Sequence, residues 1–255
     1  MNLYSKEELI EKLIEFREKK WILGARPGNV GGIGNTLEDL LGIQENNLPI
    51  PNAAEWELKC QRLGTSSLTT LFHMEPSPRA IKFVPKVLLP LYGWEHASIP
   101  NEMSFRQTIN ALSCTDRGFK VVVDHDAQKV LVSFNANAVS ERHYGWLKSV
   151  ERRVGLGELK PQPYWGFDDL FHKAGTKLLN CFYIRAAVKR ESGHEYFWYK
   201  EIMVLQKFSL EKFLQAITRG FLLVDFDART GHNHGTKFRL RQDRLSDLYD
   251  QASVR

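Results

Sequence analysis

Cysteine is scarce: three residues in 255, at positions 60, 114 and 181. An odd number at wide spacing excludes a disulfide framework and offers no zinc-ligand pattern, so a reducing cytoplasm is the expected home. No apolar run is long enough to span a bilayer, and Met1-Asn2-Leu3-Tyr4 leads straight into charged residues rather than a signal peptide. No membrane partner is expected. Internal repeats and low-complexity linkers are absent. The richest glycine stretch, Gly24 to Gly34, holds five glycines but lacks the lysine of a phosphate-binding P-loop, and no strand clearly precedes it. It reads as a hinge, or as a loop whose backbone near Arg26 approaches a DNA phosphate.

What is present is ordinary globular material. Hydrophobic residues make up 43% and charged residues 25%, enough for one large domain or two lobes. The net charge of +5 is compatible with a nucleic-acid partner without demanding one.

Ser5-Lys6-Glu7-Glu8 is a capping box, and Leu9, Ile10, Leu13 and Ile14 continue at helical spacing to about Lys20. A short helix follows, capped by Asn35 or Thr36, with Glu38 in its first turns and Gly42 at its end. The stretches 56–60 and 66–73 read as strands of a meander, and 119–124 with 129–134 as a hairpin. Arg142, His143, Lys148, Arg152 and Arg153 form a basic run in an irregular or helical segment, by default a solvated face. Further on, a helix is expected from Tyr164 to about Leu179, then strands 181–189 and 196–205, a helix capped at Ser209, a buried strand 221–229, a donor-rich loop 230–237, and a terminal helix 244–252.

The stretch Glu55-Trp56-Glu57-Leu58-Lys59-Cys60 alternates strictly, so the charged residues share one face of a strand and the apolar ones the other. Two readings stand beside each other. One is a half-buried strand with a solvent-facing ion pair. The other is a carboxylate that holds a divalent cation next to an ammonium that holds a phosphate oxygen or a water, which metal-assisted phosphodiester hydrolysis requires.

Three matches decide for the second reading: residues 34–47 around Glu38, residues 55–59 followed by Leu68–His73, and His232–Leu240. Taken together they resemble the MvaI/BcnI group of type II restriction endonucleases, in the MutH-like branch of the PD-(D/E)XK nucleases. The resemblance implies an α/β PD-(D/E)XK core, a mixed central sheet flanked by helices, with a second β-rich lobe forming a DNA-binding cleft. The catalytic lobe would take approximately residues 1–75 and 165–225, and the DNA-recognition lobe approximately 76–164 plus the 229–241 loop.

The family pattern implies that Glu57 binds Mg2+, that Lys59 orients or helps deprotonate the attacking water, and that Glu38 supports the metal–water network. Where the family carries a metal-binding aspartate, this chain has Asn52, after Pro51. A neutral amide oxygen is a weaker ligand for a hard cation than a carboxylate, so the chain is expected to be catalytically impaired, with Glu55 as a partial substitute. His73, Arg229, His232, His234, Thr236, Lys237 and Arg239 would contact DNA, and the basic run around Arg142 to Arg153 would serve phosphate contacts that position without specifying. The resemblance further implies double-stranded DNA with a CC-N-GG type site, a monomer, a bacterial cytoplasm, and a cognate DNA methyltransferase as functional partner. Two other readings remain: a MutH-like repair nicking enzyme, and a sequence-specific DNA binder that does not cut.

Overall fold

A computed structural model describes residues 4–25, 32–43, 55–241 and 243–255. The elements begin with α1 (Lys6–Glu18), β1 (Ile22–Leu23), α2 (Gly32–Leu41), β2 (Trp56–Arg62) and β3 (Thr69–His73). Next come α3 (Leu89–Tyr92), β4 (Trp94–Glu95), β5 (Met103–Ile109), β6 (Arg117–Asp124), β7 (Lys129–Val139), α4 (Tyr144–Val154) and β8 (Tyr164–Gly166). The chain continues through α5 (Phe167–Leu178), β9 (Asn180–Glu191), β10 (His194–Phe208) and α6 (Leu210–Thr218). It closes with β11 (Leu222–Arg229), β12 (His232–Asn233), β13 (Lys237–Leu240) and β14 (Tyr249–Val254). Two units divide it: Met1–Thr69, Phe171–Ser209 and Gln242–Arg255 in one, Thr70–Leu170 and Leu210–Arg241 in the other. Among the described residues no helix is long and apolar enough to cross a membrane.

In the first unit the capping box forms as expected. Ser5 Oγ accepts from the Glu8 amide at 3.2 Å and the Glu8 carboxylate accepts from the Ser5 amide at 2.7 Å, satisfying two helix-end donors. Leu9, Leu13 and Phe16 make the buried stripe of α1. The helix α2 begins earlier than expected, at Gly32, so Asn35 and Thr36 lie inside it. The buried Thr36 hydroxyl instead accepts from the Ala25 amide at 3.0 Å.

The first unit's sheet runs β1-β10-β9-β2, with β14 also paired to β10. β9 and β10 form a long hairpin, and β2 lies parallel to β9 from Trp56 opposite Asn180 to Arg62 opposite Ala186. The sheet is therefore mixed. Trp56 and Leu58 join Phe182, Ile184 and Tyr199 in a core covered by Leu9, Leu13 and Leu37 from the two helices.

Two expectations are corrected here. β2 and β3 form no meander: β2 pairs with β9, which is buried at Cys181, Phe182, Tyr183, Ile184 and Ala186, while β3 pairs with β13 in the second unit. A parallel strand covered on both faces needs such an apolar neighbour, and β9 supplies it. The expected terminal helix is instead a 3-10 turn, Leu245–Leu248, followed by β14, which pairs with β10 from Phe208 opposite Tyr249 to Met203 opposite Val254. Pairing along β10 outweighs the local helical pattern.

The second unit holds a six-stranded sheet, β3-β13-β11-β5-β4 with β12 on β11, and a three-stranded sheet β6-β7-β8. β11 is central, with β13 on one side and β5 on the other. Leu222, Val224, Phe226 and Ala228 are buried on its inner face, which sends Asp225, Asp227 and Arg229 to the opposite face. β11 is hydrogen-bonded on both sides within this sheet, and residues 210–225 lie in the second compact unit. The expected helix from Tyr164 starts at Phe167, since Tyr164–Gly166 pairs with β7.

Candidate active site and nucleic-acid interface

The alternation of β2 holds, but its charged face is not solvated. The Glu57 side chain is 2% exposed and that of Lys59 16%. This corrects the solvent-facing ion pair. Lys59 Nζ donates to Glu57 Oε1 at 2.6 Å, and Lys177 Nζ, from α5, lies 3.7 Å from the same oxygen. The other oxygen, Oε2, is buried and has no hydrogen-bond partner among the described residues. An unsatisfied buried carboxylate oxygen is costly, which points to a missing partner.

The surroundings explain the burial. The parallel register sets Glu57 beside Cys181 and Lys59 beside Tyr183. Burial, then the Glu57 charge, pushes the Cys181 thiol up to about 12. Burial also pushes the Tyr183 phenol up to about 12, and its hydroxyl hydrogen-bonds Gln61, next along the same face of β2. These two neighbours stay neutral at ordinary pH.

Glu38, on α2, is half-buried and approaches β2 from the core side: after burial, its charge is the next cause that raises the Cys60 thiol pKa. Glu55 is exposed in the turn before β2. Asn52, expected as the second metal ligand, lies outside the described residues, as do Arg26 and most of the glycine stretch. The bare oxygen of Glu57 fits a hard divalent cation. Among the described residues no group of three His, Cys, Asp or Glu side chains gathers to hold a metal.

In the second unit, the predicted DNA-contacting residues lie on one strand system, and carboxylates fix the cations. Arg229 donates to Glu102 Oε2 at 2.7 Å, Lys237 to Asp227 Oδ2 at 3.0 Å, and Arg239 to Asp225 Oδ2 at 3.3 Å. Arg106 adds a second contact to Asp227 at 2.7 Å. Burial raises the Asp227 pKa, but Lys237, Arg106 and His234 together outweigh it and hold the carboxyl below its usual value. His232 and His234 are exposed in the loop.

Thr236 is buried rather than presented. Its amide donates to Glu75 Oε1 at 2.9 Å and its hydroxyl faces Glu75 Oε2 at 3.4 Å, so it anchors the loop. His73 is exposed at the end of β3, and its ring lies against Gly235: a Cβ there would sit 3.3 Å from Cδ2. The structure thus gathers His73 with the 232–239 loop.

Sequence reading missed Lys177, Glu75, Glu102, Asp225 and Asp227. Lys177 carries no local signal, because it reaches Glu57 from a distant helix. Asp225, Asp227 and Arg229 were legible as one face of an alternating strand, Leu222 to Arg229.

Comparison with known proteins follows the same lines. The family model for the MvaI/BcnI restriction endonuclease family matches residues 10–249. No curated protein sequence matches. Among solved structures, the restriction endonuclease MvaI in complex with its cognate DNA substrate superposes with a TM-score of 0.78, at 23% identity over 98% of this chain and 99% of that one. MvaI in the absence of DNA gives a TM-score of 0.56, at 21% identity over 100% of this chain and 99% of that one. At these identities the likeness establishes the fold.

Proposed function

The chain belongs to the MvaI/BcnI restriction endonuclease family and is thereby a nuclease of the type II restriction class; from that premise we propose Mg2+-dependent hydrolysis of DNA phosphodiester bonds at a short CC-N-GG type site. The observation that carries this reading is the buried Glu57 carboxylate, one oxygen held by Lys59 and approached by Lys177 while the other has no partner among the described residues.

Glu57 would hold the ion through Oε2, with Asn52 as the neighbouring ligand. A divalent ion at that position supplies Lewis acidity toward a phosphate oxygen and lowers the pKa of a water. Lys59 is fixed by Glu57 and would orient the attacking water and stabilise charge developing on the phosphate. Glu38 would support the surrounding water network from the helix side. MvaI has been solved with its cognate DNA, and double-stranded DNA is the partner proposed here. His73, His232, His234, Lys237 and Arg239 would read the site, with Arg229 contacting DNA beside them and Thr236 holding the loop. A monomer in a bacterial cytoplasm, paired functionally with a DNA methyltransferase of the same specificity, completes the reading.

Asn52 favours one second reading, a sequence-specific DNA binder that does not cut. The experiment is cleavage of a defined DNA library with Mg2+ by this chain and by its Asn52→Asp form, with the ends sequenced. On the nuclease reading the reversion raises the rate about a hundredfold or more, since it restores an anionic ligand. Equal, measurable rates would sink the impairment. Binding without cutting in both proteins would establish the silent binder.

A further inference from the structure

The second unit contains a cavity of about 810 Å3 lined by Trp94, Trp146, Arg117, Arg152 and Arg153. That volume suits a small ligand. None of the residues assigned above to catalysis or base reading lines it; Arg152 and Arg153 belong to the basic run expected to contact phosphates.

Its parts are held in place by specific local structure. Arg117 opens β6 at a bulge, where the register shifts between Arg117 and Phe119. Gly118 makes the bulge with φ +78°, and a Cβ there would stand 2.4 Å from the Asn135 carbonyl oxygen, so only glycine fits. Bulges re-aim side chains, and this one lays the Arg117 guanidinium over the Trp94 ring, 4.1 Å from its centroid and 5.6 Å from that of Trp146. Trp146 is fixed by its indole N–H, which donates to the carbonyls of Tyr92 and Gly93 at 3.1 Å. Arg153 donates to the carbonyls of Pro90, Gly93 and Ser149 at 3.0, 3.3 and 3.1 Å.

The positive charge is under-compensated. The nearest carboxylate to Arg117 is Asp116, at 3.9 Å, and Asp116 is engaged by Arg142 at 2.5 Å and His143 at 2.8 Å. Among the described residues Arg117 Nε is buried without an acceptor. Arg153 meets only neutral acceptors among the described residues, and Arg152 bonds the Lys148 carbonyl. Three guanidiniums against the single carboxylate of Glu95 leave about two positive charges around the cavity, the complement of a phosphate monoester. The Trp94 ring is already covered by Arg117, and the Trp146 indole in the same wall supplies the surface on which a nucleobase stacks.

We propose that this cavity is a nucleotide-binding site, taking a phosphate on its arginines with the attached base against Trp146. A free nucleotide and the 5′-phosphorylated end of a DNA strand share this chemistry. The site stands independently of the nuclease reading, because its test uses neither metal nor cleavage.

The experiment is calorimetric titration of the whole protein with dCMP, with deoxycytidine, with inorganic phosphate, and with a 5′-phosphorylated dinucleotide. It is repeated on Arg117→Gln and Gly145→Glu. Gly145 lines the cavity in the first turn of α4, where an added Cβ meets nothing within 4 Å, so the glutamate enters open space at an end of the helix that favours an acid. Its thermal unfolding serves as the check on folding. Expected are one site for dCMP, binding of phosphate and of deoxycytidine each at least tenfold weaker, and at least a tenfold loss in both variants. Dinucleotide binding tighter than dCMP assigns the strand end as the source, and weaker binding assigns the free nucleotide. Phosphate bound as tightly as dCMP, dCMP binding unchanged by Gly145→Glu, or no dCMP binding at millimolar concentration would each overturn the proposal.

Discussion

The Lys177 ammonium lies 3.7 Å from Glu57 Oε1. The same oxygen already accepts from Lys59, so two cations share one carboxylate. A divalent ion bound at the free oxygen is repelled by both ammoniums. Unit charges at about 4 Å interact by roughly 4 kcal/mol at an effective dielectric of 20, and partial exposure of Lys177 screens this further. In the Asn52→Asp protein, Lys177→Met is therefore expected to lower the half-saturating Mg2+ concentration about three- to tenfold. A Mg2+ titration of cleavage rate decides it. A higher requirement would instead make Lys177 the residue that positions Glu57.

Lys177 also marks the limit of what the sequence discloses. The alternation of Trp56 to Cys60, the capping box at Ser5 and the hairpin after Phe119 are local patterns, and each has its expected form. The pairing of β2 with β9 is not local: it joins residues more than a hundred positions apart, and no property of β2 alone selects that partner. The same holds for β14, whose helical pattern yields to pairing with β10. Burial of Glu57 follows from those long-range choices. Its chemistry was therefore legible as a residue type in a motif, while its bare oxygen and second lysine were not. In the second unit the loop residues were legible as donors, but the carboxylates that hold them came from β11 and from Glu75 and Glu102.

Glu75 fixes the 232–237 segment by accepting from the Thr236 amide at 2.9 Å. Thr236 is 1% exposed, so removing the acceptor leaves a buried donor unsatisfied. Glu75→Ala is expected to lower stability by about 1–3 kcal/mol in urea unfolding. It should weaken binding to cognate DNA while leaving the dependence of binding on salt unchanged, because no phosphate contact is lost. Fluorescence anisotropy at several salt concentrations measures both quantities. A reduced salt slope would mean that the loop meets the backbone.

Glu195 links β10 to β2. It takes two hydrogen bonds from Arg62, at 3.0 and 2.8 Å, and two from Arg190. The Arg62 bonds are the largest cause that holds its carboxyl down at about 2, against a usual 4.5. A depressed folded pKa means that the unfolded chain binds the proton first as pH falls. The stabilisation is present above about pH 4.5 and disappears as pH falls towards 2. Glu195→Gln should therefore unfold at a lower temperature than the parent at pH 7, and the difference should shrink steadily between pH 4.5 and 2. Melting curves across that range test it. A constant difference would assign the effect to packing instead of ionisation.

Arg239 is held by Asp225, which also accepts from the Thr108 hydroxyl at 2.8 Å. A guanidinium held by a carboxylate keeps its fork in a fixed plane, and a guanidinium fork can read guanine through two parallel bonds. Lysine retains the charge and loses the fork. Arg239→Lys is expected to weaken cognate binding about ten- to hundredfold, corresponding to roughly 1–3 kcal/mol. Binding to unrelated DNA should change little, since the electrostatic contribution survives. Competition of cognate against non-cognate duplexes separates the two effects. Equal losses on both would move Arg239 from base reading to the phosphate backbone, and would leave guanine discrimination to Lys237 and the two exposed histidines of the loop.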